Sequence, residues 1–316
     1  MSSTPRLGLR LHGGLAARRC AEFAAAAEQG GFSSVWFAEN PIERGVMAAL
    51  AASAVATKTI ELGIGVWNPY LRHPAQIAME IGALDELSGG RAALGIGSGL
   101  AGPIRKLGID NSRPLGALRD TFAIVRGLLS GDSFTHKGRV FSVEDVKLSY
   151  RPLRADVPLL MAARGEQALA LCGRIADGLM ISNMCPPGFA HHAGQAAGAS
   201  RVVQYAPCVV GPDRVHAAAT IKPVLAGMLK TFWGLAQKVP AARTSLIDYS
   251  GIPEADFAAA EPDERFVEAF AVAGDAKDIR RRLAAYGAAG VTDLVLTFAG
   301  PDPLADMAYL LRASRA

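Results

Sequence analysis

The chain has few cysteines, few aromatic residues and no long hydrophobic run. Its 316 residues include four cysteines (Cys20, Cys172, Cys185 and Cys208), and no two of them form a CxxC pair. This spacing argues against a zinc site and a disulfide framework, so no metal ligand set is predicted. No segment approaches the roughly 20 apolar residues needed to cross a bilayer, and the amino terminus lacks the apolar stretch of a signal peptide. We therefore expect a cytoplasmic protein with no membrane partner.

The chain also lacks a strong excess of either charge. Its formal net charge of +4 is small for this length, and the basic residues are spread along the sequence. There is no basic stripe and no interleaving of basic and aromatic residues, which argues against nucleic acid as a partner. A small-molecule substrate is the remaining expectation. Half of the residues are hydrophobic, enough for either one α/β barrel of about 250 residues with insertions or two ordinary domains.

Short apolar segments alternate with alanine-rich helical segments almost from end to end. The predicted strands are Leu7–Leu11, Ser34–Ala38, Ile60–Val66, Arg91–Ile96, Leu159–Ala162, Gly178–Ser182, Val202–Val210 and Leu294–Phe298. They are apolar on both faces, which is typical of buried parallel strands. Eight such units predict an α/β fold of the TIM (β/α)8 type, since a doubly wound open sheet would need fewer strands. We predict one domain over residues 1–316.

Two segments interrupt this alternation and are predicted as insertions. Residues 131–154 have a turn signal at His136–Gly138 between stretches of alternating apolar residues, which predicts a β-hairpin. Residues 214–262 are predicted to be mostly helical, with breaks at Pro223, Pro240 and Pro253. Neither segment adds a strand to the predicted barrel.

The residues that directly follow the strands should line one mouth, because a parallel barrel builds its active site at the carboxyl ends of its strands. They are His12, Glu39, Asn40, Asn68, Ser98, Arg164, Asn183, Cys185, Cys208, Thr297 and Phe298. This set contains no Ser-His-Asp arrangement, no close carboxylate pair and no metal-binding motif. A mouth with so few acid–base groups is typical of an enzyme that leaves the difficult chemistry to an organic cofactor.

Several of these residues have a structural and a functional interpretation. Glu39 is either an acid near the start of the next helix, favoured by the helix dipole, or a group that hydrogen-bonds a bound ring or proton donor. His12 either forms a turn with Gly13 and Gly14 or belongs to the site. Cys185 and Cys208 are interpreted as buried small hydrophobic residues outside the catalytic set.

Glycines are concentrated in the third and fourth strands and in the loop after the fourth. Residues 95–99 (GIGSG) form either a tight turn or a loop whose bare backbone amides approach a phosphate or a flat ring. The spacing is neither that of a dinucleotide fingerprint nor that of a P-loop. Gly63 and Gly65 lie inside a predicted strand, where glycine often marks a bulge or the close approach of a ligand.

Three motifs within residues 62–99 together resemble one family. NPYLRHP at 68–74, LDELSGGR at 84–91 and GIGSG at 95–99 are similar to the bacterial-luciferase-like superfamily. Within it, the likeness is greatest to the deazaflavin-dependent branch, the methylene-tetrahydromethanopterin reductases above all. The resemblance covers nearly the whole chain and is weakest over 131–154 and 214–262.

The resemblance implies a TIM barrel with insertions and a cofactor, coenzyme F420 or alternatively FMN, at its mouth. It implies a non-proline cis peptide at about Gly65–Val66, whose bulge presses on the cofactor ring. It also implies that loops at Ser98–Gly99 and 163–165 hold the cofactor tail. The expected cofactor-binding set is Asn40, Gly65, Val66, Trp67, Asn68, Gly97, Ser98, Gly99, Ala163, Arg164, Gly165 and Asn183. A homodimer is also implied, and the helix over 75–87 could pack against a second copy.

The expected function is hydride transfer between coenzyme F420 and an organic substrate. Glu39, His12 and Arg10 are the candidate catalytic residues, and a methylene-tetrahydropterin-like carrier of one-carbon units is one candidate substrate. The chain departs from the archaeal reductases at Arg10 and Leu100, where they carry acids thought to serve the pterin. One alternative is an FMN-dependent monooxygenase or flavin reductase on the same fold. A second is a barrel that binds a cofactor without catalysis.

Overall fold

The computed structural model describes residues 4–315. Eleven strands are formed: β1 Arg6–His12, β2 Ser34–Ala38, β3 Glu61–Trp67, β4 Ala92–Ile96, β5 Phe134–Lys137, β6 Ser142–Val146, β7 Leu159–Ala162, β8 Gly178–Ile181, β9 Val202–Val210, β10 Val272–Gly274 and β11 Asp293–Phe298. Eight of them close into a parallel barrel in the order β1-β2-β3-β4-β7-β8-β9-β11, and β11 pairs with β1. The predicted TIM barrel is confirmed.

Helices follow the barrel strands and cover the outside of the sheet. Their bounds are α1 Ala17–Gly30, α2 Met47–Ala56, α3 Pro74–Ser88, α4 Ala101–Lys106, α5 Pro114–Leu129, α6 Glu166–Ile175, α7 Pro187–Ala197, α8 Arg214–Ala236, α9 Pro240–Arg243, α10 Glu254–Ala259, α11 Glu264–Phe270, α12 Ala276–Ala288 and α13 Pro303–Arg315. A short π-helix spans Thr244–Asp248. None of the described helices is both long and apolar enough to cross a membrane.

Local sequence signals set the ends of the helix that follows β3. Pro74 occupies the first turn of α3, where its fixed backbone angle is favourable, and the His73 ring accepts a hydrogen bond from the Ala75 amide. Gly89 ends the helix in the left-handed conformation (φ 68°), which glycine adopts without a steric penalty. The LDELSGGR motif thus ends α3 and leads into β4.

The hairpin predicted within 131–154 is confirmed, and the segment 214–262 differs in detail from the prediction. β5 and β6 form the antiparallel hairpin within 131–154. In the second segment Pro223 does not break the chain but lies inside α8, so that prediction was wrong. A proline there removes one helical hydrogen bond. The buried side chains of Ile221, Leu225 and Leu229 pack in a core shared with Phe257 and Phe266, and such packing provides most helix stability in proteins.

The strand β10 was not predicted. It covers only three residues and pairs in parallel with the end of β9, outside the eight-stranded ring. Its sequence, Val272–Gly274, is too short to show a strand pattern. Its effect is to attach the end of the helical insertion to the carboxyl end of β9.

The barrel interior is filled by alternate residues of each strand. A separate buried cluster of Trp36, Ala93, Leu160, Met180, Val203, Tyr205 and Val295 occupies it. The strand registers place Arg10 beside Trp36 on β2, and both face this interior. At the amino-terminal end of the barrel, Arg201 contacts Glu61 (Nη2–Oε1 2.5 Å) and Asp293 (Nε–Oδ2 3.4 Å). The interior is therefore a packed core that is closed by ion pairs at one end.

Candidate active site at the carboxyl ends of the barrel strands

Arg10 is an inward-facing residue of β1 near the mouth of the barrel. Its guanidinium carbon lies 5.2 Å from the centroid of the Tyr205 ring, and its Nη1 donates a long hydrogen bond (3.4 Å) to Thr297 Oγ1. The Nε atom is buried without a hydrogen-bond partner in residues 4–315. Burial lowers the pKa of Arg10 from its ordinary value, but a guanidinium stays charged in proteins. Arg10 is thus a cation with unused donor capacity.

His12 lies two residues further along the same face of β1. Its Nδ1 accepts a hydrogen bond from the Gly14 amide at 3.1 Å. Burial, and then the charge of Arg10, lower the pKa of His12 below its ordinary value of 6.5. The ring is therefore neutral at pH 7, and the hydrogen bond to Nδ1 assigns its proton to Nε2. The turn interpretation of His12 is confirmed by this hydrogen bond, and its place in the site stays a prediction.

Tyr205 connects the two sides of the barrel and was missed in the sequence. Its hydroxyl donates to the Gly65 carbonyl oxygen across the interior at 3.1 Å. Burial raises the pKa of Tyr205, so the hydroxyl remains a donor. Tyr205 and Gln204 are polar residues inside a strand that is buried on both faces. That contrast is the signal that could have identified Tyr205.

The third strand is irregular where Tyr205 meets it. The peptide bond between Gly65 and Val66 is cis, as the resemblance implied. The pairing of β3 with β4 shifts register between Gly65 and Trp67, which is the pattern of a bulge. Gly65 is buried and Val66 is partly exposed, and Val66 packs beside Ala162 against the interior cluster.

Beside this bulge, the inner wall of the barrel is made of small residues. A Cβ atom at Gly97 would lie 3.0 Å from both Val66 Cγ2 and Ala162 Cβ, and one at Gly95 would overlap Met180. No side chain from β4 therefore projects into this part of the mouth. Val66, Gly97 and Ala162, which we call the small-residue wall, form a low surface against which a flat ring can lie.

The loops after β3 and β4 are joined by Asn68. Its Nδ2 donates to the Ser98 carbonyl at 2.7 Å, and its Oδ1 accepts from the Tyr70 amide at 2.9 Å. Gly99 has a φ of 61°, and a Cβ there would approach Asn68 Nδ2 to 2.8 Å. Asn68 therefore fixes the shape of the Ser98–Gly99 loop, and glycine is required at position 99.

Arg164, between Ala163 and Gly165 after β7, anchors the helical insertion at the mouth. Its Nη1 donates to Ser245 Oγ and its Nη2 to the Asn183 carbonyl, both at 2.9 Å. The guanidinium also stacks over the Phe232 ring at 5.1 Å. The Asn183 side-chain Oδ1 is buried without a partner in the described part of the chain. The loops after β7 and β8 thus present a fixed backbone and one free acceptor.

Glu39 is engaged in an ion pair at the rim of the mouth. Its Oε2 lies 2.8 Å from Arg72 Nη1, and Arg72 Nε lies 2.8 Å from Glu80 Oε2. The Arg72 guanidinium also covers the Trp67 indole at 4.6 Å. The Val46 amide donates to Glu39 Oε1 at 3.5 Å, directly before α2. The geometry therefore favours the structural interpretation of Glu39, as a partner of Arg72 and of the start of a helix.

The structure brings most of the predicted site residues together but leaves two apart. Trp67 is fully buried in the core outside the barrel interior. Asn40 is exposed, and its Nδ2 donates to Glu43 at 3.1 Å. The two cysteines after strands, Cys185 and Cys208, are buried, and burial raises the pKa of each thiol. Within residues 4–315, no group of three or more metal-ligating side chains is assembled.

Comparison with known proteins gives consistent matches along the chain. The family model described as luciferase-like monooxygenase matches residues 1–293. A 5,10-methylenetetrahydromethanopterin reductase of Methanolobus tindarius is 31% identical over 294 residues, which cover 88% of this chain and 89% of the relative.

Solved structures share the fold. The coenzyme F420-dependent tetrahydromethanopterin reductase of Methanopyrus kandleri superposes with a TM-score of 0.83 at 25% identity, over 98% of each chain. The oxygenating constituent of 3,6-diketocamphane monooxygenase from Pseudomonas putida, in complex with FMN, has a TM-score of 0.73 at 18% identity, over 99% of this chain and 96% of the other. With a matching family model and a relative above 30% identity along most of its length, the chain belongs to the luciferase-like monooxygenase family and is an enzyme of that family.

Proposed function

We propose that this chain is an oxidoreductase that transfers a hydride between coenzyme F420 and an organic substrate at the mouth of the barrel. The observation that carries the proposal is the small-residue wall of Val66, Gly97 and Ala162. A flat tricyclic ring needs a shallow apolar surface of this kind, and the buried Gly65 carbonyl behind it is held by Tyr205. The F420-dependent tetrahydromethanopterin reductase of Methanopyrus kandleri, which shares the fold at a TM-score of 0.83, supports the choice of cofactor.

The residues present fit this cofactor at three places. The wall would support the ring, and the backbone of Ser98–Gly99 and of residues 163–165 would hold the phosphate-bearing tail. The unpartnered Asn183 Oδ1 would accept a hydrogen bond from the bound group. When bound, the deazaflavin supplies or accepts the hydride. The chain's own contribution is to orient the two reactants and to exclude water between them.

Titration of the purified protein with the cofactor tests this proposal. We expect oxidised F420 to bind with a change in its absorbance or fluorescence, and FMN to bind at least tenfold more weakly. Gly97→Val would fill the wall and should abolish binding. The matched control is Gly227→Val, because a Cβ at Gly227 meets nothing within 4 Å. Tight binding of FMN without binding of F420 would contradict the proposal.

A second candidate function keeps the fold and uses FMN as a monooxygenase or flavin reductase. The fold neighbour in complex with FMN supports it. Oxygen uptake by the protein with reduced FMN separates the two functions, because reduced deazaflavins react very poorly with oxygen. A barrel without catalysis is the remaining alternative, and turnover that depends on the loaded cofactor would exclude it. A methylene-tetrahydropterin-like carrier is one substrate to assay, because the Methanolobus relative is named for it.

We further propose that the protein is a homodimer through α2 and α3. Val55 on α2 and Met79 and Leu87 on α3 are large hydrophobic side chains that are each at least half exposed. Grouped apolar side chains on neighbouring helices are typical of an interface. Light scattering should give twice the chain mass for the native protein and the chain mass for Met79→Glu. Leu304→Glu, an exposed position on α13, is the control and should remain a dimer.

One domain over residues 1–316 is also proposed. The second insertion packs on the barrel through α8, which contacts β9 and β10, and its core includes Val209 of β9. A shared core makes separate unfolding of the insertion unfavourable. We therefore expect a single cooperative unfolding transition by both fluorescence and circular dichroism.

A further inference from the structure

We propose that Arg10 binds an anionic group of the substrate, a carboxylate or a phosphate, at the floor of the barrel mouth. This inference deepens the proposed function and rests on it. It names the class of substrate that this oxidoreductase would take. The observations that carry it are the unused donors of Arg10, the absence of a carboxylate in contact with it among residues 4–315, and its position in the barrel.

The surroundings of Arg10 leave its charge uncompensated. Among the described residues it forms no ion pair, although the interior-facing Arg201 at the other end of the barrel contacts two carboxylates. Its one side-chain hydrogen bond, to Thr297, is 3.4 Å long, and its Nε has no partner. The carboxylate that acts on it from a distance is Glu43, which is exposed and accepts a hydrogen bond from Asn40.

The other groups that face Arg10 do not supply a negative charge. The neutral His12 lies beside it on β1, and the protonated Tyr205 lies under its guanidinium. A desolvated cation with free N–H donors is unfavourable by itself and binds an oxyanion strongly, since such hydrogen bonds are charge-assisted. The His12 Nε2–H is a second donor on the same face of the strand. Both side chains therefore suit one anionic group.

The position of Arg10 assigns this anion to the substrate and not to the cofactor tail. Arg10 contacts residues of β9 and β11, which adjoin β1 on one side of the barrel. The loops proposed for the tail follow β4 and β7, on the other side of the ring of strands. Tyr205 lies between these two sides of the barrel. Its ring stacks against the Arg10 guanidinium, and its hydroxyl donates a hydrogen bond to the Gly65 carbonyl oxygen. An anion on Arg10 would therefore lie across the mouth from the small-residue wall.

Thermal unfolding of the full chain in the presence of simple anions tests the proposal. The probes are acetate, inorganic phosphate and the neutral isostere acetamide, all at constant ionic strength. We expect acetate or phosphate to raise the unfolding midpoint in a saturable manner, and acetamide to have no effect. Arg10→Gln should lose this response, and Arg10→Lys should keep part of it. Arg105→Gln is the control, because Arg105 is exposed on α4, and it should respond like the native protein.

Titration of the same variants with F420 separates this proposal from the proposed function. We expect Arg10→Gln to bind F420 within threefold of the native affinity, which also shows that the variant is folded. An unchanged anion response in Arg10→Gln would overturn the inference. So would a tenfold loss of F420 affinity in that variant, because Arg10 would then serve the cofactor. If no form binds F420 and the anion response still depends on Arg10, the proposed function fails and the anion site stands.

Discussion

Each end of the barrel contains a partly buried arginine, and the two arginines differ in their partners. At the amino-terminal end Arg201 lies between Glu61 and Asp293, and Arg6 reaches Asp293 from outside at 2.5 Å. At the carboxyl end Arg10 faces the interior with no carboxylate in contact, as judged over residues 4–315. Both guanidiniums stack on an aromatic ring of the interior, Trp36 for Arg201 and Tyr205 for Arg10. The two sites differ in whether a carboxylate contacts the guanidinium.

Glycines of the barrel interior differ between its middle and its mouth in a similar manner. A Cβ at Gly63, lower in β3, would overlap the Trp36 ring, which fills the middle of the barrel. A Cβ at Gly97 would touch Val66 and Ala162, two small and partly exposed side chains at the mouth. The first glycine makes room for a large side chain of the protein, and the second keeps a further side chain out of the small-residue wall. The amino-terminal end is thus built for stability and the carboxyl end for binding, as is usual in this fold.

The largest expected effect is a contrast between Arg201→Met and Arg10→Met. The first variant leaves Glu61 without its ion pair and Asp293, which is 1% exposed, with Arg6 as its remaining ion-pair partner, so we expect a loss of about 3 kcal/mol in the free energy of unfolding. The second removes an unpaired cation and should change the free energy by less than about 1 kcal/mol. Urea unfolding of both variants measures this. Equal losses of unfolding free energy in the two variants would show that the two arginines contribute equally to stability.

Replacing Gly63 and Gly97 by alanine, one at a time, tests the same contrast. Gly63→Ala forces a shift of the buried Trp36 and should cost about 2 kcal/mol of stability while F420 binding by the folded protein remains. Gly97→Ala meets its neighbours at 3.0 Å and should cost less than about 1 kcal/mol while weakening F420 binding several-fold. Urea unfolding and cofactor titration of each variant give both quantities. The contrast is contradicted if both variants lose stability and F420 affinity together.

A smaller effect is expected from Tyr205→Phe, which keeps the ring under Arg10 and removes the hydrogen bond to the Gly65 carbonyl. The loss of this bond should lower the free energy of unfolding by about 1 kcal/mol. If the bond also positions the wall of the mouth, F420 affinity should fall about threefold. Unchanged affinity with the expected loss of stability would show that Tyr205 supports only the core.

The fold could be predicted from the sequence because each barrel strand is a short apolar run that ends in a turn. β2 and β7, for example, have the predicted bounds, Ser34–Ala38 and Leu159–Ala162. Pro223 was misjudged because a local preference for breaking a helix was outweighed by long-range packing on Phe257 and Phe266. β10 could not be found because three residues carry no pattern, and its pairing with β9 depends on where the insertion ends.

The site was only partly predictable, because a sequence gives the position of a side chain but not its partner. Asn68 and Ser98 were each identified as loop residues, and the structure adds the hydrogen bond that joins them. Glu39 was identified as a candidate catalytic residue, and the structure adds its ion pair with Arg72, 33 residues away. Tyr205 donates a hydrogen bond to Gly65, which lies 140 positions away in the chain. Spacing within a single sequence does not indicate contacts between residues that are so far apart.

The smallest expected effect concerns a carboxylate near the carboxyl end of the barrel. Like Arg10, it has no ion-pair partner among the described residues. Asp306, in the first turn of α13, forms no ion pair within the described residues, and its Oδ2 is buried without a partner. Burial, and then the charge of Asp302, raise the pKa of Asp306 to about 6 from an ordinary value of 3.8. The folded state therefore holds this proton more tightly than the unfolded state, and its contribution to stability is complete below about pH 4 and is lost as the pH rises through about 6.

Asp306→Asn should consequently show little change in unfolding midpoint at pH 4 and a higher midpoint than the native protein at pH 8. Asp132→Asn, at an exposed position, is the control and should follow the native curve throughout. Parallel curves for Asp306→Asn and the native protein would show that the carboxylate is solvated or paired in solution. A rise at pH 8 would show that a carboxylate near this end of the barrel is kept without an ion-pair partner, whereas Asp293 at the other end contacts Arg6 and Arg201.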